Sequence, residues 1–319
     1  MIPILKQKYI TSGKTTNKTP TMRYNQLGQS SIKISEVSFG CMSLNGTTKE
    51  NIDLIHKAIE HGINYFDTAD LYDAGKNEKV VGEALKEKRQ DVVLATKVGN
   101  ELRADGSGWD WNPTKSYILK AIDKSLQRLG TDYIDFYQLH GGTIDDPIDE
   151  TIEAFELLKE QGKIREYGIS SIRPNVIQRY IEKSNIAGVM MQYSLLDRRP
   201  EEAVLDLLAK NDISVLVRGA YAKGLLLDKP AKEYLNWTAE EVRQVKEKLE
   251  GLCGNLQTIR KAVLHYPLQH KAVASVVSGI RTGEQLTASL EVLDGGEEVI
   301  DLIRQLKGDL QPNFYESHR

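Results

Sequence analysis

Eight times after Met22, a short apolar run gives way to a longer segment with helical periodicity. The short runs are EVSFG, INYFD, DVVLATK, IDFYQLH, IREYGIS, AGVMMQY, ISVLVR and ASVVSG, several rich in β-branched residues. The segments between them repeat apolar residues every three or four positions, as at Ile52, Ile55, Ala58 and Ile59, which is the spacing of one helix face. Gly62, Gly130 and Gly162 stand where such helices should end. Strand-then-helix alternation implies a parallel sheet, because each crossover brings the chain back to start another strand in the same direction. Eight units close naturally into a (β/α)8 barrel, the α/β TIM-barrel class, here with extended loops at the C-terminal rim. The rival, an open doubly wound sheet that holds a dinucleotide, would carry G-x-G-x-x-G after its first strand, and SFGCMSLNG does not fit that pattern.

Bulk properties exclude several function classes. Net charge is −3 with both signs interspersed, so the chain lacks the basic field that draws proteins onto nucleic acid. No apolar run approaches the roughly 18 residues of a membrane helix. Two cysteines, Cys41 and Cys253, give neither a disulfide framework nor zinc spacing, which suits a cytoplasmic protein without metal. Residues 1–21 are rich in Lys, Thr and Ser and are expected to form a disordered extension, leaving 22–319 as a single barrel domain.

In a barrel of this kind the active site lies at the C-terminal ends of the strands. Asp67 ends the second apolar run, Lys97 the third and His140 the fourth, and Tyr72 follows in the second loop. A buried carboxylate and ammonium are costly unless paired, so Asp67 and Lys97, on neighbouring strands, should pair. An ammonium fixed beside a phenol favours its deprotonated form and makes it a usable acid. Tyr72 can then protonate an oxygen that gains negative charge, with His140 hydrogen-bonding the same oxygen. That set suits carbonyl reduction and contains no hydride source, so a redox cofactor is required. Asp70 reads as a rim or capping residue, and Cys41 lacks a basic partner that would make it a nucleophile.

The stretches FDTADLYDAGKNEKVVGEAL, ATKVG, DYIDFYQLHGG, MQYSLLDRRPE, AKGLL and VSGIRTGEQL, in this order and spacing, resemble the aldo-keto reductase family. The resemblance implies a metal-free barrel using NADPH, less often NADH, with its catalytic tetrad at Asp67, Tyr72, Lys97 and His140. It further implies that Ser170, Ser171 and Gln192 hold the nicotinamide amide, with Ser171 standing where the family usually has asparagine. Gly224 and Leu225 match a loop whose N–H groups meet the pyrophosphate. Gly279, Arg281 and Gln285 match the adenosine end, where Arg281 would pair with a 2′-phosphate and so favour NADPH. Ser289 replaces the family's usual adenine-contacting asparagine. Arg218 stands where many relatives stack an aromatic on the nicotinamide. A guanidinium can stack there, would disfavour the oxidised cofactor, and could instead pair with an acid or address an anionic substrate group.

Substrate walls are expected from the loop VGNELRADGSGWDWNP, with Trp109 and Trp111, and from Phe314 or Tyr315 in the tail. The expected activity is NADPH-dependent reduction of aldehydes or ketones. Alternatives are oxidation of a sugar or polyol by the same chemistry, and a nucleotide-binding regulatory subunit with slow turnover.

Overall fold

The computed structural model describes residues 22–294 and 296–319, so the extension expected over 1–21 lies outside the described residues. Eight parallel strands close into a barrel in which each strand pairs with its sequence neighbours. They are β1 (Val37–Gly40), β2 (Tyr65–Asp67), β3 (Val93–Val98), β4 (Ile134–Leu139), β5 (Ile164–Ser170), β6 (Gly188–Gln192), β7 (Ser214–Arg218) and β8 (Val273–Gly279). The expected (β/α)8 barrel is thus the observed one.

Helices α1 (Thr48–Glu60), α2 (Lys76–Leu85), α3 (Lys115–Leu129), α4 (Ile148–Glu160), α5 (Pro174–Lys183) and α6 (Val204–Lys210) follow the first six strands. Their apolar faces bury Leu54, Ile55, Val81, Ile122, Phe155 and Leu158 against the outside of the barrel. Thr47 closes the start of α1 with a capping box to Glu50. The long insert after β7 carries α7 (Ala239–Cys253), and α8 (Leu256–Leu268) leads into β8; α9 (Gly283–Leu290) and α10 (Ile300–Asp309) complete the chain.

Side-chain alternation decides what the barrel holds. Tyr65, Ala95, Phe136, Met190 and Leu216 point inward and form one buried cluster. An antiparallel hairpin, Tyr24–Gln26 with Lys33–Ser35, adds Leu27, Ile32 and Ile34 to that cluster and seals the N-terminal end. Two residues further along the same inward rows come Asp67, Lys97, Gln138, Gln192 and Arg218. Below, therefore, the interior is apolar and plugged; above, the same rows turn polar.

Candidate active site

Lys97 is fully buried, and its ammonium has all three of its donors engaged. It donates to Asp67 Oδ2 at 2.5 Å, to the Thr68 carbonyl at 2.7 Å and to the Tyr72 hydroxyl at 3.3 Å. Gln138, two residues before His140, donates to the other Asp67 oxygen at 3.2 Å. Burial opposes the charge on Lys97, but the Asp67 carboxylate, with Tyr72 beside it, outweighs burial and holds the lysine above its ordinary value. The pairing expected from the sequence is present.

His140 meets the tyrosine edge to face, with ring centroids 5.8 Å apart and planes at 84°. Its Nδ1 is enclosed without a partner among the described residues, leaving Nε2 as the nitrogen open to a ligand. Burial, reinforced by Lys97 and Arg218, pushes the imidazole down to about 3. At neutral pH it is therefore an uncharged hydrogen-bonding group.

The tyrosine owes its position to an unusual turn. Asp73 and Ala74 adopt left-handed backbone conformations, φ 47° and 50°, followed by Gly75 at 83°. Non-glycine residues disfavour this region by about 1–2 kcal/mol each, so the surroundings must hold the turn in place. Part of that hold is a buried hydrogen-bond chain: the Thr68 hydroxyl donates to the Asn77 amide oxygen at 2.6 Å, and the Asn77 amide donates to the Cys41 carbonyl at 2.9 Å. Thr68, Asn77 and Gln138 were not singled out from sequence, although Gln138 could have been found as a polar side chain on an inward row. Asp70 corrects its sequence reading: it is buried, 6% exposed, and not a rim or capping residue. Cys41 is also fully buried, and burial with the nearby Asp67 raises its thiol, which keeps it inert.

The strand ends of β5 to β8 form the other half of the rim. Ser170 and Gln192 are half-buried there, and Arg218 is exposed. Gln192 accepts from Arg218 at 2.9 Å and donates to Asp197 at 2.9 Å and Tyr234 at 3.0 Å. Asp197 in turn is forked by Arg199. Arg218 makes no ion pair among the described residues, so the acid partner considered for it is not found there. Ser171 is buried, and its hydroxyl accepts from the Arg173 N–H two residues on, closing a local turn ahead of α5. The N–H groups of Gly224 and Leu225 donate to the Tyr221 and Ala222 carbonyls at 2.8 and 3.1 Å, so they face their own loop.

At the end of β8, Gly279 lies beside Gly40 of β1, and a Cβ on Gly279 would come within 2.4 Å of the Ser43 hydroxyl. Arg281 is exposed and makes no ion pair among the described residues, while its N–H donates to the Gln285 side chain at 2.9 Å. Ser289 is turned back onto the Gln285 carbonyl at 2.9 Å.

The loop after β3 folds into a second hairpin, Asn100–Leu102 with Trp109–Trp111. Trp111 lies on Gly99 and Gly141, beside His140, and donates to Asp146 at 2.9 Å; Trp109 is 48% exposed. In the tail, Phe314 is exposed and Tyr315 buried.

Comparison with known sequences and structures decides the class. The sequence model of the Aldo/keto reductase family matches residues 36–307. This chain belongs to the aldo/keto reductase family. It is an NAD(P)H-dependent oxidoreductase. It is 48% identical to the "uncharacterized oxidoreductase YqkF" of Bacillus subtilis, over 93% of this chain and 100% of that protein. The "NADH-specific methylglyoxal reductase" of Escherichia coli is 31% identical, over 86% of this chain and 94% of that protein. The holo structure of aldo-keto reductase AKR11C1 from Bacillus halodurans superposes with a TM-score of 0.87 at 48% identity, covering 94% of this chain and 100% of that one.

Proposed function

We propose that the enzyme reduces small aldehydes or ketones to alcohols with NADPH, with Tyr72 as the general acid. The observation that carries this reading is the direction of one hydrogen bond: the Tyr72 hydroxyl accepts from the Lys97 ammonium. A phenol that accepts there keeps its own proton for another acceptor, and the adjacent cation stabilises the phenolate left behind. Asp67, gripped by Gln138, keeps Lys97 charged and in place. Neutral His140, through Nε2, would hydrogen-bond the substrate oxygen and orient it towards the phenol.

The residues fit a nicotinamide dinucleotide. Ser170 and Gln192 offer polar groups at neighbouring strand ends, and Arg281 presents an exposed guanidinium with no ion pair among the described residues, suited to a 2′-phosphate. That free guanidinium favours NADPH over NADH. When bound, the dinucleotide supplies the hydride that reaches the carbonyl carbon. The Gly224–Leu225 turn would have to release its inward hydrogen bonds to meet a pyrophosphate. Trp111, braced by Asp146, and exposed Trp109 would bound the substrate on the β3–β4 side. A cytoplasmic setting accords with two free cysteines and a redox cofactor. The test is turnover of a panel of aldehydes, ketones and sugars, followed by nicotinamide absorbance with each cofactor. Equal efficiency with NADH would overturn the NADPH preference, and no turnover of any carbonyl would overturn the reading itself.

A further inference from the structure

Behind the tyrosine turn lies a second set of ionisable groups that the reaction above does not use. Asp70, two residues before Tyr72, is buried, and its Oδ1 is enclosed with no hydrogen-bond partner among the described residues. Its N–H reaches the Lys97 carbonyl at 3.4 Å, which ties it to the strand carrying that lysine. From α2, fully buried Glu78 accepts from Thr96 of β3 at 2.7 Å and from Arg128 of α3 at 2.6 Å. Among the described residues, the other titratable groups facing Asp70 are Lys97 from β3, Tyr117 from α3 and Tyr137 from β4, whose hydroxyl is also enclosed there without a partner.

A carboxyl in this company is more stable uncharged. Burial, then the Glu78 carboxylate, outweigh Arg128, the Leu71 N–H and Lys97, and push Asp70 up to about 8. Arg128 also touches the turn: a Cβ on Gly75 would come within 2.8 Å of its Cδ and 2.9 Å of its Nε. One arginine thus neutralises Glu78 and braces the left-handed residues that present the phenol.

We propose that Asp70 is a positioning residue for Tyr72: a buried neutral acid that leaves Arg128 on Glu78 and, on ionising, draws Arg128 away and loosens the turn that holds the phenol against Lys97. The proposal rests on Tyr72 being the general acid. Its chemistry is a single proton leaving Asp70 for solvent, with no bond to carbon or hydride involved.

Two measurements test it. In infrared spectra of the full-length enzyme at about pH 7, wild type should show the C=O stretch of a protonated carboxylic acid that disappears on raising the pH through about 8 and is missing from Asp70→Asn. With saturating NADPH, wild-type kcat should fall about fivefold in the first pH unit above that point and about tenfold per unit beyond it, as one deprotonation dictates, and Asp70→Asn should lack this limb. Absence of the protonated band in wild type, which needs no variant to fold, would overturn the proposal. So would an unchanged kcat limb in Asp70→Asn. If no carbonyl is turned over, the reductase reading fails separately, and thermal melts still decide Asp70. An acid whose folded-state value is raised binds a proton that the unfolded chain has lost, so wild type should lose stability relative to Asp70→Asn as pH rises from about 4 to about 8. A stability gap that stays constant over this range would contradict the proposal.

Discussion

The two halves of the rim are built differently. Along β2, β3 and β4, the groups proposed for chemistry are dry and already tied together: Lys97 has no donor to spare, and Asp67 is held through both oxygens. Along β5 to β8, the groups proposed to hold the cofactor are half-exposed or exposed, apart from buried Ser171 and Leu225, and their hydrogen bonds run to other protein groups. Gln192 is engaged with Arg218, Asp197 and Tyr234, Ser171 caps a turn, and the Gly224–Leu225 N–H groups face inward. The contrast teaches where the enzyme invests its rigidity. Proton transfer is geometrically demanding, and the groups proposed for it are held in place in advance. Dinucleotide binding spreads over a long surface, so it can exchange provisional partners one at a time.

Five substitutions, two of them combined, break or sharpen that contrast. The largest effect is expected from Tyr72→Phe, which should lower kcat by about 10²–10⁴-fold while cofactor affinity, read by fluorescence titration, stays nearly unchanged. Full retention of turnover would mean that the proton comes from elsewhere. Lys97→Met should cost about 3–5 kcal/mol of stability in urea unfolding, because it strands the Asp67 carboxylate in the interior. Adding Asp67→Asn should restore much of that loss, and a purely additive double variant would show the pair to be uncoupled. On the other arc, Arg281→Ala should raise the Kd for NADPH about ten- to a hundredfold and leave NADH almost unaffected. The smallest change is predicted for Arg218→Tyr, which removes one neutral-acceptor hydrogen bond and should alter cofactor Kd or substrate preference by about two- to tenfold. If neither moves, Arg218 has no role in the site.

Legibility in the sequence followed the same division. The barrel was readable because eight apolar runs and eight helical segments follow one another, and the inward rows made Asp67, Lys97 and His140 stand out as polar ends of buried strands. The roles proposed for them could be argued twice, from chemistry and from the family resemblance. Asp70 escaped because its burial depends on Glu78 and Arg128, which only tertiary packing brings beside it. The N-terminal hairpin escaped as well: its three-residue strands carry too little alternation to register, yet they contribute Leu27 and Ile34 to the core. The partners of Gln192 and the inward-facing Gly224 turn were beyond reach for a different reason, since a motif match fixes which residue stands at a position and says nothing of what it touches.

The plugged lower pole has a practical consequence. Because the side chains of Leu27, Phe136, Met190 and Leu216 join one buried apolar cluster below the polar rows, ruggedness and selectivity occupy opposite poles of this molecule. A protein engineer could harden the base to withstand heat, then reshape the upper loops for new carbonyls, and treat the two campaigns as independent.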